Sequence, residues 1–470
     1  MAASPRGLLR WMLVLLPGVV IAFLPPPLGI TVASWRLFAI FCATVVGLIM
    51  EPLPGGAMVL LGVVTTAVLG VLSAETALAG YADPIVWLVL GAFFFARSMI
   101  KAGLGRRIAL HFIRLLGRRS LGLAYALIAT DFALATSIPS NAARAGGIIF
   151  PIARSAAEAY DSYPGPTAGR LGTFLMAVLY QADVVICAMF LTGQASNVLI
   201  ARFAEQATGV GISYAEWAIG AIVPGLLSLA CVPLLVYRNL TPGVTHTPAA
   251  TAMAQSELSR MGPMSGSEKL VLVVFLLLTS LWITGRWHGI HPAIVALLGA
   301  AILLVAGVLT WEDVVTERAG WDVYFWYGGL VGLAGALGRS EIPKRFAETA
   351  ASLTVGLPWW IALGGLLLVY FYSHYGFASI TAHATAMFLP FLIVILGSGA
   401  PHRLAVLLLA YCSNLMASLT HYGTTPGPIY FAPGYVSQRA WWRVGFLASL
   451  VNLSIWTLGG LAWWKLLGLW

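Results

Sequence analysis

Long apolar runs recur along the whole chain, and they constrain its fold more than any other feature. About 20 consecutive apolar residues cross the hydrocarbon core of a membrane as a helix. Only 9% of the residues are charged, whereas soluble domains carry about 25%. The sequence therefore predicts an all-α polytopic membrane protein with about eleven transmembrane helices, near residues 9–29, 32–50, 55–73, 84–100, 172–192, 214–237, 269–285, 288–310, 322–338, 402–420 and 440–468.

Two further apolar regions, 121–152 and 361–391, do not fit this template. Each has an apolar arm, a break rich in Ser, Thr, Gly, Asn or His, and a second apolar arm. Non-helical backbone at membrane depth is tolerated only where it is buried in protein or lines a cavity. We predict that both regions are re-entrant helical hairpins that carry a binding site. A pair of short full crossings is the alternative.

The basic residues gather in loops that flank the apolar runs, which accounts for the net charge of +9 without a nucleic-acid partner. The loop 101–119 carries six Lys and Arg residues and no acid. Because cytoplasmic loops carry the excess of positive charge, this loop and the N-terminus, four crossings earlier, are predicted to be cytoplasmic. The polar linker 238–268 is predicted to join the two halves of the chain on the same side.

The two halves of the chain are similar in sequence. When positions 56–75 are aligned with positions 293–312, eight of the twenty pairs are identical. Five crossings separate equivalent points, so the second half is predicted to enter the membrane inverted. Inverted repeats whose broken helices meet near the midplane are typical of secondary transporters. The predicted organisation is N-terminal helices 1–54, a first repeat 55–237, the linker, and a second repeat 269–470.

Polar residues interrupt the apolar sequence at four corresponding places. The hairpins contribute two of them, and the spans that follow the hairpins are also broken, at 191–197 and 419–428. N–H groups at a helix start attract anions, while side-chain oxygens and free carbonyls hold cations. The candidates are therefore Thr136, Ser140, Asn141 and Arg144 in the first hairpin, and Ser379, Thr381, His383 and Thr385 in the second.

Each of these candidates has a structural alternative. The hydroxyl and amide groups could simply cap the turns, and a single membrane His more often completes a hydrogen bond than carries a proton. Arg144 needs an anionic partner in an apolar hairpin, either a substrate carboxylate or a protein acid such as Asp131 or Asp183.

The hairpin motifs resemble those of the divalent anion/sodium symporter (DASS) family. The match is best to its branch of bacterial citrate/succinate and tartrate/succinate antiporters and plastid 2-oxoglutarate/malate translocators. The family motif Ser-Asn-Thr is similar to residues 140–142, and the branch pattern Pro-Ser-Asn-Thr-Ala-Arg-x-Gly-Gly is similar to residues 139–147. The pattern Phe-Ala-Ser-x-Thr-Ala-His is similar to residues 377–383, and the stretch 423–443 also resembles the branch.

The resemblance implies a scaffold domain that dimerises, a transport domain that holds both hairpins, and an elevator-type movement. It places Gly193 and Gly423 at the backbone-carbonyl positions of two cation sites and Thr424 at a substrate-contacting position. Together with the hairpin residues, the predicted substrate-binding set is Ser140, Asn141, Arg144, Ser379, Thr381, His383 and Thr424. The predicted cation-binding set is Thr136, Ser140, Asn141, Gly193 and Gly423. We expect a homodimer in a bacterial inner membrane, with no cofactor except Na⁺ as a possible coupling ion.

The sequence departs from the family motif in two places. Ala142 lacks the hydroxyl of the first motif, and residues 382–384, Ala-His-Ala, replace the second motif. An Asn oxygen can ligate Na⁺, whereas His is a softer donor that repels cations when protonated. This favours exchange of di- or tricarboxylates such as succinate, malate, 2-oxoglutarate, citrate or tartrate over sodium-driven uptake.

Two other transport functions stay open, namely a sodium- or proton-coupled symporter on the same fold and a transporter of an inorganic divalent anion such as sulfate. An enzyme is disfavoured, because the sequence has no HExxH, no GxSxG and no clustered acidic pair for a catalytic metal. The four cysteines have no metal-ligand spacing either. The preferred carboxylate, the sodium stoichiometry and the choice of antiport or symport are not fixed by the sequence.

Overall fold

The computed structural model describes residues 5–342, 344, 345, 348, 349 and 358–470. Within these residues the chain is helical, and a lone β-bridge joins Arg119 to His246. Eight helices are long and apolar enough to cross a membrane. They are Val32–Met50, Pro84–Ala102, Gly172–Met189, Tyr214–Asn239, Gly266–Ile283, Ile380–Gly397, His402–Leu419 and Gln438–Leu466. The predicted all-helical membrane class is confirmed.

The predicted count of eleven crossings is met only in part. Seven of the eight candidate spans fall on predicted runs, and the eighth, Ile380–Gly397, lies in the region predicted as the second hairpin. Four predicted runs carry helices outside that set. These are Leu9–Phe23, Gly55–Val68, Pro292–Val305 and Arg318–Gly338. The number of crossings and the re-entrant course of the hairpins stay predictions.

The first twelve α-helices lead to the end of the first half. They are α1 (Pro5–Phe23), α2 (Val32–Met50), α3 (Gly55–Val68), α4 (Ala74–Leu78), α5 (Pro84–Ala102), α6 (Leu104–Leu116), α7 (Ser120–Ala135), α8 (Asn141–Arg144), α9 (Phe150–Glu158), α10 (Gly172–Met189), α11 (Ala195–Thr208) and α12 (Tyr214–Asn239). Short 3₁₀ turns lie at Ala79–Ala82 and Ala168–Arg170, and a π-helical turn, Ala145–Ile149, joins α8 to α9.

A linker helix and twelve further α-helices follow. They are α13 (Pro248–Met261), α14 (Gly266–Ile283), α15 (Gly285–His288), α16 (Pro292–Val305), α17 (Trp311–Val315), α18 (Arg318–Gly338), α19 (Trp359–Tyr372), α20 (Ile380–His383), α21 (Leu389–Gly397), α22 (His402–Leu415), α23 (Pro426–Phe431), α24 (Gln438–Ser454) and α25 (Gly460–Leu466). Turns of 3₁₀ helix lie at Ser373–Gly376 and Met416–Leu419, and π turns lie at Ala384–Phe388 and Ile455–Gly459.

The helices of the two halves correspond in their bounds as well as in sequence. When position 55 is aligned with position 292, α3 coincides with α16 and α4 coincides with α17, end to end. When position 172 is aligned with position 402, α10 coincides with the helix His402–Leu419. The packing is reciprocal too, because α3 packs against α18 while α16 packs against α5, which follows α4 as α18 follows α17. Such exchange of partners is what a two-fold relation produces.

The two broken regions share one design. The rod Asn141–Glu158, made of α8, a π turn and α9, coincides with the rod Ile380–Gly397 when position 141 is aligned with position 380. Both rods have a serine N-cap, and in both a proline follows the π turn, Pro151 in the first and Pro390 in the second. Proline lacks the N–H of one α-helical hydrogen bond, and π turns inside helices are frequent at functional sites.

The predicted linker 238–268 is an ordered part of the structure. Helix α13 packs against α6, and the almost fully buried Arg107 of α6 reaches the linker. Its Nε and Nη2 donate to the two carboxylate oxygens of Glu268 at 2.6 and 3.1 Å. Because Glu268 also completes the capping box of α14 with Ser265, this bidentate pair fixes the start of the second half against the first.

The contact between α18 and the 3₁₀ turn Ala79–Ala82 depends on glycine. A Cβ on Gly80 would lie 2.1 Å from the carbonyl oxygen of Gly328 and 2.3 Å from the nitrogen of Gly332. These are backbone atoms, so no side-chain rotation can make room.

We expect Gly80→Ala to lower the stability by about 1–3 kcal/mol, because overpacking forces the backbone apart. Thermal unfolding of the detergent-solubilised protein measures this loss. The matched control is Gly338→Ala, at the end of α18, where an added Cβ meets nothing within 4 Å. Equal unfolding temperatures for the two variants would contradict the close packing.

Candidate functional site

Four non-helical breaks interrupt the helices at the predicted places. We call them break 1 (136–140), break 2 (190–194), break 3 (377–379) and break 4 (420–425). Residues at all four breaks line one cavity of about 570 Å³, a volume within the range of small-molecule sites. The lining residues at the breaks are Pro139, Ser140, Asn141, Ala142, Gln194, Ala195, Ser196, Ser379, Thr381, Ala382 and Thr425.

A helix begins where each break ends. The new helices start at Asn141, Ala195, Ile380 and Pro426. The hydroxyls of Ser140 and Ser379 accept from N–H groups in the first turns of the two rods, at 3.1 and 3.4 Å. The remaining N–H groups and the positive end of each helix dipole favour an anion. Among the described residues, no Lys, Arg or His lines the cavity, so attraction for an anion there must come from these helix starts and the polar side chains.

Side chains of different breaks contact each other across the cavity floor. The Asn141 amide donates to the Thr424 hydroxyl at 3.2 Å, which joins breaks 1 and 4. The hydroxyls of Ser196 and Thr381 lie 2.5 Å apart and join breaks 2 and 3. The four breaks are therefore one site, although Asn141 and Thr424 belong to opposite halves of the chain.

Arg144 lies behind this site and does not line the cavity. Its side chain is fully buried, and its Nε donates to Asp131 Oδ1 at 2.7 Å while Nη2 lies 3.4 Å from Asp183 Oδ1. Nη1 donates at 2.7 Å to the carbonyl oxygens of Ile138 and Gly193. The structure thus gives Arg144 the two protein acids that the sequence offered as an alternative to a substrate carboxylate, together with two backbone carbonyls.

His383 is the counterpart of Arg144 when the two rods are aligned, and it is also fully buried. Its Nε2 lies 2.9 Å from the hydroxyl of Ser373, which itself donates to the Tyr370 carbonyl, so Nε2 is the donor. The rings of Tyr370 and Phe377 lie 4.7 and 4.6 Å from the imidazole, centroid to centroid. His383 is held in an aromatic enclosure behind break 3 and, like Arg144, is absent from the cavity lining.

The two carbonyls predicted to bind cations accept hydrogen bonds from protein side chains. Gly193 O accepts from Arg144, and Gly423 O accepts from His374 Nε2 at 2.9 Å. The two glycines are equivalent when α10 is aligned with the helix His402–Leu419. An added Cβ would lie 2.5 Å from Cys187 O at the first and 2.9 Å from Ala417 O at the second. Glycine is therefore needed at both positions for the chain to turn this tightly.

The structure brings together some of the predicted site residues and separates others. Ser140, Asn141, Ser379 and Thr381 line the cavity, while Thr424 lies beside it in contact with Asn141. Thr136 bonds to Ala133 within its own turn, outside the lining. Sequence reasoning missed Gln194 and Ser196, although both lie in the predicted break 191–197. It also missed His374, Glu51 and Asp322, which no local motif marks.

Comparisons with known proteins agree with this architecture. A family model described as the sodium:sulfate symporter transmembrane region matches residues 6–470. The chloroplastic dicarboxylate transporter 1 of Arabidopsis thaliana is 44% identical over 456 residues, which are 96% of this chain and 82% of that protein. The inner membrane protein YbhI of Escherichia coli is 33% identical over 471 residues, covering 99% and 98%. The crystal structure of the Alcanivorax borkumensis YdaH transporter shares the fold, with a TM-score of 0.53, 12% identity and 99% of each chain covered.

We expect Arg144→Met to destabilise the protein strongly, because it leaves Asp131 and Asp183 buried without their cation. Breaking a buried pair from one side costs about 3–5 kcal/mol. The control Arg154→Met removes an exposed pair with Glu158 on the same rod, worth about 0.2–1 kcal/mol. Thermal unfolding in detergent compares the two. A loss no larger for Arg144→Met than for Arg154→Met would show that the buried cluster does not hold the breaks together.

Proposed function

This chain belongs to the sodium:sulfate symporter family, the divalent anion/sodium symporters, and on that premise we propose that it exchanges dicarboxylates across a bacterial inner membrane. The proposal makes it a secondary active transporter and not an enzyme. Its substrates are small carboxylates such as succinate, malate or 2-oxoglutarate. The relative from Arabidopsis thaliana that covers 96% of this chain is named a dicarboxylate transporter.

The convergence of helix starts supports an anionic substrate. Three of the four helices that begin at the breaks have at least 14 residues, counting each rod as one helix. A carboxylate there replaces water on free N–H groups and meets the positive ends of several dipoles. The mixture of hydroxyls, amides and helix starts requires no basic side chain in the cavity.

The arrangement of the hairpins supports a substrate with two anionic ends. The tips of the two rods both present polar groups to the cavity, Ser140 and Asn141 on the first and Ser379 and Thr381 on the second. Each tip can accept one carboxylate, and Thr424 orients the Asn141 amide for this purpose. We assign Arg144 and His383 to positioning of the two tips, since both lie behind the lining.

The hydrogen bonds accepted by Gly193 O and Gly423 O are the observation that favours exchange over sodium symport. A carbonyl that ligates Na⁺ must direct its lone pairs at the ion, as hard oxygen donors do. In this structure the Arg144 guanidinium and the His374 N–H bind those carbonyls instead. In this proposal a fixed protein donor takes one of the two lone pairs of each carbonyl and supplies the polarity that a co-transported cation would bring.

Obligatory exchange follows from the cost of moving an empty site. With no substrate, the cavity exposes helix starts and hydroxyls that lose their water if the site passes through the membrane. A bound dicarboxylate satisfies these groups. In the elevator-type cycle that we propose, the loaded carrier moves readily and the empty carrier does not. The proposed homodimer would keep the scaffold fixed in the membrane during this movement.

The family description itself favours one other function, which is sodium-coupled uptake of a divalent anion such as sulfate. A transport assay distinguishes dicarboxylate exchange from sodium-coupled uptake. It uses purified protein in liposomes, with labelled succinate outside. We expect uptake to require internal dicarboxylate, to be unaffected when choline replaces sodium, and to ignore excess sulfate. Uptake into empty vesicles driven by a sodium gradient would overturn the exchanger.

We expect Asn141→Ala to reduce succinate exchange by at least about tenfold, since loss of a hydrogen bond to a charged group costs roughly 1.5–3 kcal/mol. The control Asn239→Ala removes an amide that bonds only to the Leu235 carbonyl of its own helix. Exchange at saturating internal substrate, with equal protein in the membrane by immunoblot, gives the comparison. If exchange by Asn141→Ala equals that of the control, the substrate does not bind at break 1.

A further inference from the structure

Two acidic residues, which together we call the acidic wall, belong to the lining of the cavity. Glu51, after α2, and Asp322, in the first turns of α18, both line the cavity. Among the described residues, neither carboxylate forms an ion pair within 4 Å, and both residues are solvent-exposed. A cavity for anions thus carries two carboxylates and no basic side chain.

Local structure holds both acids in place. Glu51 has the left-handed backbone conformation, with φ 48° and ψ 52°, which costs energy for a residue with a Cβ. Its N–H bonds to Gly47 O at 2.9 Å, and its carbonyl accepts from Arg10 at 3.4 Å. Asp322 lies against the start of α3, where a Cβ on Gly56 would come within 2.8 Å of its Oδ1. Glycine at position 56 leaves the room that this carboxylate needs.

We infer that Glu51 and Asp322 determine specificity, because their charges exclude a third carboxylate and so restrict the site to dicarboxylates. The inference rests on the proposed function only in taking carboxylates as the ligands. The two ends of a dicarboxylate bind at the hairpin tips. A tricarboxylate such as citrate brings a third charge into the same cavity, where the two acids repel it.

The size of the cavity makes this repulsion significant. A sphere of about 570 Å³ is about 10 Å across. At about 10 Å, each wall carboxylate disfavours one additional substrate charge by between about twofold and about fifteenfold, for effective dielectric constants of about 80 and about 20. The two acids together therefore disfavour citrate relative to succinate by at least about fourfold. Salt screens interactions over this distance, so the discrimination weakens as ionic strength rises.

Isothermal titration calorimetry of the purified protein in nanodiscs measures how the acidic wall affects binding, without relying on transport. Citrate and succinate are titrated at low ionic strength and mildly alkaline pH, where the third carboxyl group of citrate is ionised. We expect Glu51→Gln/Asp322→Asn to lower the ratio of the citrate Kd to the succinate Kd by at least about fourfold. The matched control is Glu75→Gln/Glu312→Gln, which removes the same charge from two exposed acids outside the cavity at equivalent positions of the two halves. We expect the control to keep the wild-type ratio.

The charge-conserving variant Glu51→Asp/Asp322→Glu keeps the test decisive if the neutral variant fails to fold. It should discriminate against citrate as the wild type does, and added salt should reduce that discrimination. Two results would overturn the inference that the acidic wall determines specificity. One is equal affinity of the wild type for citrate and succinate, and the other is an unchanged ratio of the two Kd values in the neutral variant. If the ratio of Kd values changes as expected but labelled succinate is not exchanged in liposomes, the transport proposal fails and the inference about the acidic wall is retained.

Discussion

Non-helical backbone inside an apolar protein needs a partner for every buried N–H and C=O group, and the whole site depends on how the four breaks meet this requirement. Where α10 meets break 2, the carbonyls of Cys187 and Phe190 both accept from the Asn197 amide, at 2.7 and 2.9 Å. The corresponding carbonyls before break 4, at Ala417 and Thr420, lie 2.6 and 3.0 Å from the Tyr180 hydroxyl. Different side chains thus satisfy equivalent carbonyls in the two halves. Since these carbonyls already have protein donors, they need no hydrogen bond from a group in the cavity. The N–H groups at the helix starts beyond the breaks are then free to bind a ligand.

The halves are alike in backbone and unlike in charge. Arg144 corresponds to His383 when the two rods are aligned, and both are fully buried behind the tips. In the first half one guanidinium joins two acids and two carbonyls of breaks 1 and 2. In the second half the bond from His374 to Gly423 O joins breaks 3 and 4 without any acid. The same geometric task, holding one hairpin tip to the next break, is therefore performed by an ion cluster in one half and by neutral hydrogen bonding in the other.

The sequence predicted the features that depend on local chemistry. The positions of proline, serine and glycine helped to predict the four breaks, because these residues end helices and cap new ones whatever surrounds them. The repeat between residues 56–75 and 293–312 reappears as helices with the same bounds. Features that depend on distant packing were missed or left open. The sequence left Arg144 between a substrate carboxylate and the acids Asp131 and Asp183, and only the folded chain shows that these acids of α7 and α10 enclose it with carbonyls of breaks 1 and 2. Glu51 and Asp322 lie in different halves of the chain and belong to no polar motif, so no pattern could place them on one wall.

An anion site built from helix starts suits exchange better than one built from arginine or lysine. Each helix start offers about half a unit of positive charge spread over N–H groups that cannot follow the ligand as it leaves. A basic side chain in the cavity would offer a full charge and a flexible bidentate contact, and tight binding of a dianion slows its release. The full charge of Arg144 is instead bound to Asp131 and Asp183 behind the lining. In the exchanger that we propose, the two acids that line the cavity add repulsion to this weak attraction. A dicarboxylate at the hairpin tips is therefore bound with an affinity low enough for it to leave.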